Sequence, residues 1–206
     1  LVGDKLEITY LPSYAKIAEN DFQQLTNLII RLLNSKQIDQ TTIMRKSKLA
    51  TTEALKNTLK ICKSLPVDFF KDKYINTPVL IASAGPSLED NLDFIKENRN
   101  KFVLVAVNSS LRALVNNDII PDYCVICENW GIKQNIEDLK NIDDITYILH
   151  PRAQQLSWDI NPQRNVYFLT KVDGYSNWYN KFLGNKYALY PSAGSVSLEA
   201  FHIVSQ

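Results

Sequence analysis

The sequence predicts an α/β fold, a mainly parallel sheet flanked by helices and preceded by a helical extension. Two observations carry this. Short runs of Val, Ile and Leu recur after residue 77, separated by segments long enough to cross over as helices, which parallel strands require. Before that point apolar residues instead follow three-and-four spacing over long stretches, the pattern of amphipathic helices.

Taken in order, Ser13 to Asn34 places Tyr14, Ile17, Ala18, Phe22, Leu25, Leu28, Ile29 and Leu32 along one helix face. A second helix is expected from about Thr42 to Ser64. Ala50, Ala54, Leu55, Leu59 and Cys62 line one side, and Lys46, Lys48, Lys56, Lys60 and Lys63 form a solvated face on another. Pro66 and Pro78 bracket the entry to the sheet, dividing the chain into a helical region, 1–76, and a sheet domain, 77–206.

The sheet domain opens with PVLIASAGPSLEDNLDFIKE, Pro78 to Glu97. Val79 to Ala82 is the first strand, and Ser83-Ala84-Gly85-Pro86 interrupts it. Ser87 is the expected helix N-cap, with Asp90 as the acidic half of a capping box and Leu88, Leu92 and Ile95 facing the sheet. A loop of small residues feeding a helix offers unpaired amides, which suit a phosphate or carboxylate. The loop matches neither G-x-G-x-x-G nor G-x-x-x-x-G-K-[ST].

Phe102 to Val107 is the second strand, followed by Asn108-Ser109-Ser110 as loop and cap and a helix with Leu111, Leu114 and Val115 inward. The third strand, Tyr123 to Cys127, ends at Glu128-Asn129-Trp130-Gly131, and a polar helix is expected near Lys133 to Lys140. Ile145 to Leu149 is the fourth strand, leading to His150-Pro151-Arg152, and Val166 to Leu169 is the fifth. Repeated β-α-β order implies a parallel, Rossmann-like sheet whose ligands lie outside the strands' carboxyl ends. Tyr190 to Val196 is a second small-residue loop, feeding a helix with Val196, Leu198, Ala200, Phe201 and Val204 on its apolar face.

Composition narrows the partners. A net charge of +1, without an arginine-rich stripe, supplies no field for nucleic acid, and no apolar run is long enough to span a bilayer. The chain has three cysteines, too few for a disulfide scaffold. Cys124 and Cys127, three apart on a strand, point to opposite faces and read as buried thiols; with His150 and His202 the only histidines, no metal site is expected. These features fit a reducing cytoplasm. A start at Leu1 and an end at Gln206 inside an expected helix predict a piece of a longer protein.

Together, AGPSL after the first strand, VNSS after the second, IIPDYCVICEN and PSAGSVSLEA resemble the bacterial motility accessory factor family, which overlaps the family named after archaeal 6-hydroxymethylpterin diphosphokinase. The GPSL loop, Asn108 and the Ser-Gly loop also resemble bacterial sialyltransferases of glycosyltransferase family forty-two. The resemblance runs from about Thr77 to the end. It implies a Rossmann-like glycosyltransferase that places a CMP-activated nonulosonic acid (pseudaminic, legionaminic or sialic acid) on serine or threonine of flagellin or another protein acceptor. By that resemblance Gly85, Pro86 and Ser87 border the phosphate and ribose, Asn108 and Glu128 meet the nucleotide, and Ser192, Gly194 and Ser195 close over the cytidine. Glu128 stands where relatives usually carry aspartate. The strand, acidic motif and histidine base that follow the Ser-Gly helix in relatives are not in this chain, so the domain is expected to be truncated.

His150 is the candidate base, or else a structural hydrogen-bonder. Arg152 could bind a sugar carboxylate bidentately, or face water. No cofactor or metal is required, since amides and hydroxyls can stabilise departing CMP. An alternative is an ATP-dependent 6-hydroxymethylpterin diphosphokinase, whose magnesium would need carboxylates from Asp122, Glu128, Asp143 and Asp144. A third reading is a non-catalytic module that binds flagellin through the N-terminal helices.

Overall fold

The structure is a computed structural model that describes residues 11–192 and 194–205, with the side chains of 14, 15 and 35–46 outside the description. The expectations for Tyr14, Lys46 and Ala193 therefore fall outside it. Two compact units emerge, Leu1–Lys48 and Leu49–Gln206, so the boundary expected at residues 76 and 77 falls inside the second unit.

Helix α1 (Pro12–Ile17) ends at a bend, and α2 (Glu19–Ile61) follows as one continuous helix where two were expected. The intervening SKQIDQT contains neither glycine nor proline, so nothing in it breaks the hydrogen-bond ladder. Ile17, Leu25, Leu28 and Leu32 are exposed. Within the second unit the buried stripe of α2 is Glu53, Ala54, Asn57 and Ile61, while Leu55 and Leu59 face solvent. The expected apolar face is thus rotated towards two polar residues, for a reason that lies almost a hundred residues away.

Strands β1 (Leu65–Pro66), β2 (Val79–Ala82), β3 (Val103–Val107), β4 (Tyr123–Ile126), β5 (Thr146–Leu149) and β6 (Val166–Tyr167) form a six-stranded sheet in the order β1-β6-β5-β4-β3-β2, and every pairing in it is parallel. The expected fifth strand is split. Its end, β7 (Leu169–Thr170), pairs with β8 (Leu189–Tyr190) in a small parallel sheet that the sequence reading missed, as it missed β1. Each of these strands is two residues long, too short for alternation to show.

From β2 to β6 each strand is added beside the last in one direction, and right-handed crossovers then bring the connecting helices to one face. These are α3 (Pro86–Glu89), α4 (Leu92–Glu97), α5 (Asn108–Asn116), α6 (Ile132–Ile136) and α7 (Gln155–Ile160). Strand alternation separates two cores. Leu104, Ala106, Cys124, Ile126, Tyr147 and Leu149 pack with Leu88, Leu111 and Trp158 on the helical face. Val105, Val107, Val125, Cys127 and Ile148 face the other way, against Val67 and against Ala200 and Ile203 of α9 (Val196–Val204). Cys124 and Cys127 therefore fall in different cores, both as free thiols. Helix α8 (Gly174–Phe182) packs Tyr175 and Tyr179 into the helical-face core.

Candidate functional site

Because the sheet is parallel, the loops after β2, β3, β4 and β5 share its carboxyl edge. After β2, the helix begins two residues earlier than expected: Gly85 is the N-cap, Pro86 the first helical residue, and Ser87 makes no capping bond. Proline suits that first position because its missing N–H would be unpaired there anyway. The single turn of α3 closes at Glu89, and α4 starts afresh after Asn91, so Asp90 completes no capping box. Leu88 and Ile95 are buried as expected. Gly85, Pro86 and Ser87 are exposed, and a Cβ at Gly85 would meet open space.

After β3 the helix likewise starts early. Asn108 lies buried in the first turn of α5, and Ser110 Oγ donates to Ala82 O at 2.7 Å, tying β2 to α5. The Ser-Gly loop reaches the same edge. Ser195 caps α9 by accepting from Leu198 N at 3.3 Å, Gly194 sits at φ 75°, and Ser83 and Ser197 share a hydrogen bond of 2.7 Å. The two small-residue loops are thereby joined.

The densest polar cluster lies after β4 and β5. Cys127 Sγ donates to Glu199 Oε2 at 2.7 Å, Ser192 Oγ donates to Glu199 Oε1 at 3.3 Å, and Arg152 Nη2 stands 3.7 Å from Glu199 Oε1. Arg152 Nε also donates to Cys127 O at 3.4 Å. Glu199 thus stitches a strand end, the Arg152 loop and the Ser-Gly loop together. The sequence reading missed it, placing Leu198 and Phe201 on the buried face of α9; both are exposed, and Glu199, Ala200 and Ile203 are buried. An available signal was Glu199 set among Leu198, Ala200, Phe201 and Ile203 in a helix whose other polar residues are Ser197 and His202, since a carboxylate is buried only where partners await it.

Glu128 is half-buried beside this cluster, and burial pushes its carboxyl above the ordinary range, with nearby Glu199 adding to the rise and backbone amides and Arg152 opposing it. Neighbouring Asn129 is buried with its Oδ1 unpartnered. Cys127 is held far above the usual thiol range by burial first and by Glu199 second.

His150 has no such freedom. It is fully buried, Arg152 N donates to its Nδ1 at 3.2 Å, and its Nε2 meets Thr170 Oγ1 at 3.0 Å. Acceptance at Nδ1 makes Nε2 the protonated nitrogen, so both are spent within the fold. Burial, then the charge of Arg152, hold it well below its ordinary value. The arrangement makes His150 a structural hydrogen-bonder and leaves no nitrogen to act as a base.

The acids considered for magnesium do not gather. Asp122 pairs with Arg99 at 2.9 Å and Asp144 with Arg164 at 3.3 Å, and both precede their strands, at the opposite edge from Glu128. Among the described residues no group of three His, Cys, Asp or Glu side chains is placed to hold a metal ion. A cavity of about 240 Å³, lined by Val79, Val103 and Tyr123 at the strand starts, likewise lies away from the carboxyl edge. Among the described residues no helix is long and apolar enough to cross a membrane.

Comparison with known proteins agrees with this architecture. The 6-hydroxymethyl-7,8-dihydropterin pyrophosphokinase of Methanocaldococcus jannaschii is similar, 32% identical over 74 residues, which cover 34% of this chain and 31% of that protein. The structure of the Maf glycosyltransferase from Magnetospirillum magneticum AMB-1 has the same fold over 63% of this chain and 21% of that one, with a TM-score of 0.51 and 20% identity. The matched part is thus about a third of the curated relative and a fifth of the solved chain. A family profile described as 6-hydroxymethylpterin diphosphokinase MptE-like matches residues 52–206, so it takes in the end of α2 as well as the sheet. With most of its length so matched, the chain belongs to the MptE-like family.

Proposed function

We propose that the carboxyl edge binds a nucleotide-activated donor, and that the donor is a CMP-linked nonulosonic acid transferred to a serine or threonine hydroxyl of flagellin or a similar protein. The observation that carries this reading is Arg152, a guanidinium held part-exposed at that edge by Cys127 O and Glu199. Nonulosonic acids differ from most sugars in bearing a carboxylate, which a guanidinium fork matches in charge and shape. The exposed Gly85-Pro86-Ser87 turn and Asn108 are suited to the phosphate and ribose, and Ser192, Gly194 and Ser195 to the base. Asn129 Oδ1, lacking a protein partner, supplies an acceptor for the nucleotide. Glu128, with its raised carboxyl, replaces His150 as the base that takes the acceptor's proton.

The MptE-like membership and the Methanocaldococcus relative favour a second reading, pyrophosphate transfer from ATP to a hydroxymethylpterin. Magnesium for that reaction would find Glu128 at this edge, while the oxygens of Glu199 are already engaged. The donor set described fits the ion poorly, so this reading ranks second. Exposed Ile17, Leu25, Leu28 and Leu32 favour a protein-binding role for the first unit, compatible with either chemistry.

Calorimetric titration of the full chain with CMP, CMP-N-acetylneuraminate, Mg-ATP and 6-hydroxymethylpterin separates the readings. Heat with the two CMP compounds supports the glycosyl reading. Binding of Mg-ATP and pterin without CMP transfers the assignment to the diphosphokinase.

A further inference from the structure

The end of α2 carries a polar stripe directed at the loop that bears Arg152. Asn57 is fully buried, and its Nδ2 donates to Pro151 O at 3.0 Å and to Ala153 O at 2.8 Å. Those residues flank Arg152 in the chain, so one amide grips the backbone on both sides of it. A turn earlier, Glu53 Oε2 accepts from Gln155 N at 2.9 Å; a turn later, Lys60 Nζ pairs with Asp159 Oδ1 at 2.6 Å. These residues are four and three apart, which is one helix face. From the other side Gln154 N donates to Glu128 O at 2.9 Å. The loop is thus fixed between α2 and the end of β4.

Packing alone does not account for Asn57. Its Oδ1 is buried without a partner, a cost that an apolar side chain would avoid. What an apolar residue could not do is donate twice to opposed carbonyls.

We propose that Asn57, supported by Glu53, is a positioning residue that sets Arg152 for an anionic group of the ligand. This rests on the reading of Arg152 as the contact for the donor's carboxylate. The α2 segment then belongs to the working site, consistent with a family match that begins at residue 52.

The test uses the full chain with Asn57→Ala, the same-shaped Asn57→Asp, and Arg152→Ala, each checked for folding by circular dichroism. CMP, which lacks the sugar carboxylate, is titrated beside CMP-N-acetylneuraminate, which has it. Folded Asn57 variants should bind CMP as the wild type does and lose about tenfold for CMP-N-acetylneuraminate, the scale of a charge-assisted hydrogen bond. The double variant with Arg152→Ala should lose no more than Arg152→Ala alone. A second readout needs no ligand: phenylglyoxal modification of Arg152, followed by mass spectrometry, should run severalfold faster once the clamp is gone. If the wild type binds both probes equally, the carboxylate reading of Arg152 fails, and the phenylglyoxal rate alone decides the positioning role. Should neither Asn57 variant fold, Glu53→Ala takes their place in both measurements. An unchanged Arg152 modification rate in a folded variant overturns the proposal.

Discussion

Replacing His150 by glutamine tests whether that ring is sealed in the fold. In the folded chain His150 is fully buried, accepts at Nδ1 from Arg152 N, and sits edge-on to Phe168 with ring centroids 5.2 Å apart. A proton at Nδ1 would set one N–H against another in a site closed to bulk solvent. The folded pKa is accordingly well below the ordinary 6.5, through burial and the Arg152 charge. The sign follows from proton counting. Below about pH 6.5 the unfolded chain binds a proton at this residue and the folded chain does not, so the contribution to stability is full above that pH and lost as pH falls. One proton corresponds to about 1.4 kcal/mol per pH unit, so the loss between pH 7.5 and 5.0 is at most about 2 kcal/mol, reached when the folded ring stays neutral throughout. Asp68 and Glu128, whose carboxyls are raised by burial, act in the opposite direction, but they are common to both proteins and cancel in the difference. Glutamine can still donate to Thr170, and it does not titrate. Urea unfolding of wild type and His150→Gln at pH 7.5, 6.5 and 5.0 should therefore show the wild type losing stability relative to the variant as pH falls, by up to about 2 kcal/mol across that range. A difference that stays constant with pH would mean that His150 titrates alike in both states, and the sealed-ring account would be wrong.

Gly85→Val should leave the fold intact, because a Cβ there meets open space, and should abolish CMP binding by occupying the approach to the turn; Ser87→Ala, which removes no cap, should change stability by less than about 0.5 kcal/mol. Calorimetry with circular dichroism reads both, and unchanged CMP affinity in folded Gly85→Val would remove the nucleotide from this loop. Glu199→Ala strands the Cys127 thiol and the Ser192 hydroxyl and leaves Arg152 without its counter-charge, at a cost of about 3 kcal/mol in urea unfolding. A cost below about 1 kcal/mol would show the cluster to be solvated. With native protein at pH 8, iodoacetamide should label exposed Cys62 and spare Cys124 and Cys127, whose thiols burial holds far above their usual range. Rapid labelling of Cys127, read by mass spectrometry, would contradict its bond to Glu199.

The long strands were legible because a strand buried on both faces is a continuous apolar run: Val79–Ala82, Val103–Val107, Tyr123–Ile126 and Thr146–Leu149 all lie where Val, Ile and Leu cluster. Their parallel pairing followed from the length of the connections, and the carboxyl-edge loops from the pairing. What the chain could not show locally is which polar residues have distant partners. Glu53 and Asn57 are buried because backbone groups of a loop 94 to 102 residues later meet them, and Glu199 because Cys127, 72 residues earlier, donates to it. Spacing along a helix marks a face but not what will cover it: Ala54 of α2 and Ala200 of α9 are buried as expected, while Leu55, Leu59, Leu198 and Phe201 face solvent and the polar Glu53, Asn57 and Glu199 lie buried instead. The same holds for His150, whose neutrality depends on Thr170 and on closure of the core around it. Periodicity records the local preference of the backbone for helix or strand. The satisfaction of a buried polar group depends on contacts that only the folded chain assembles.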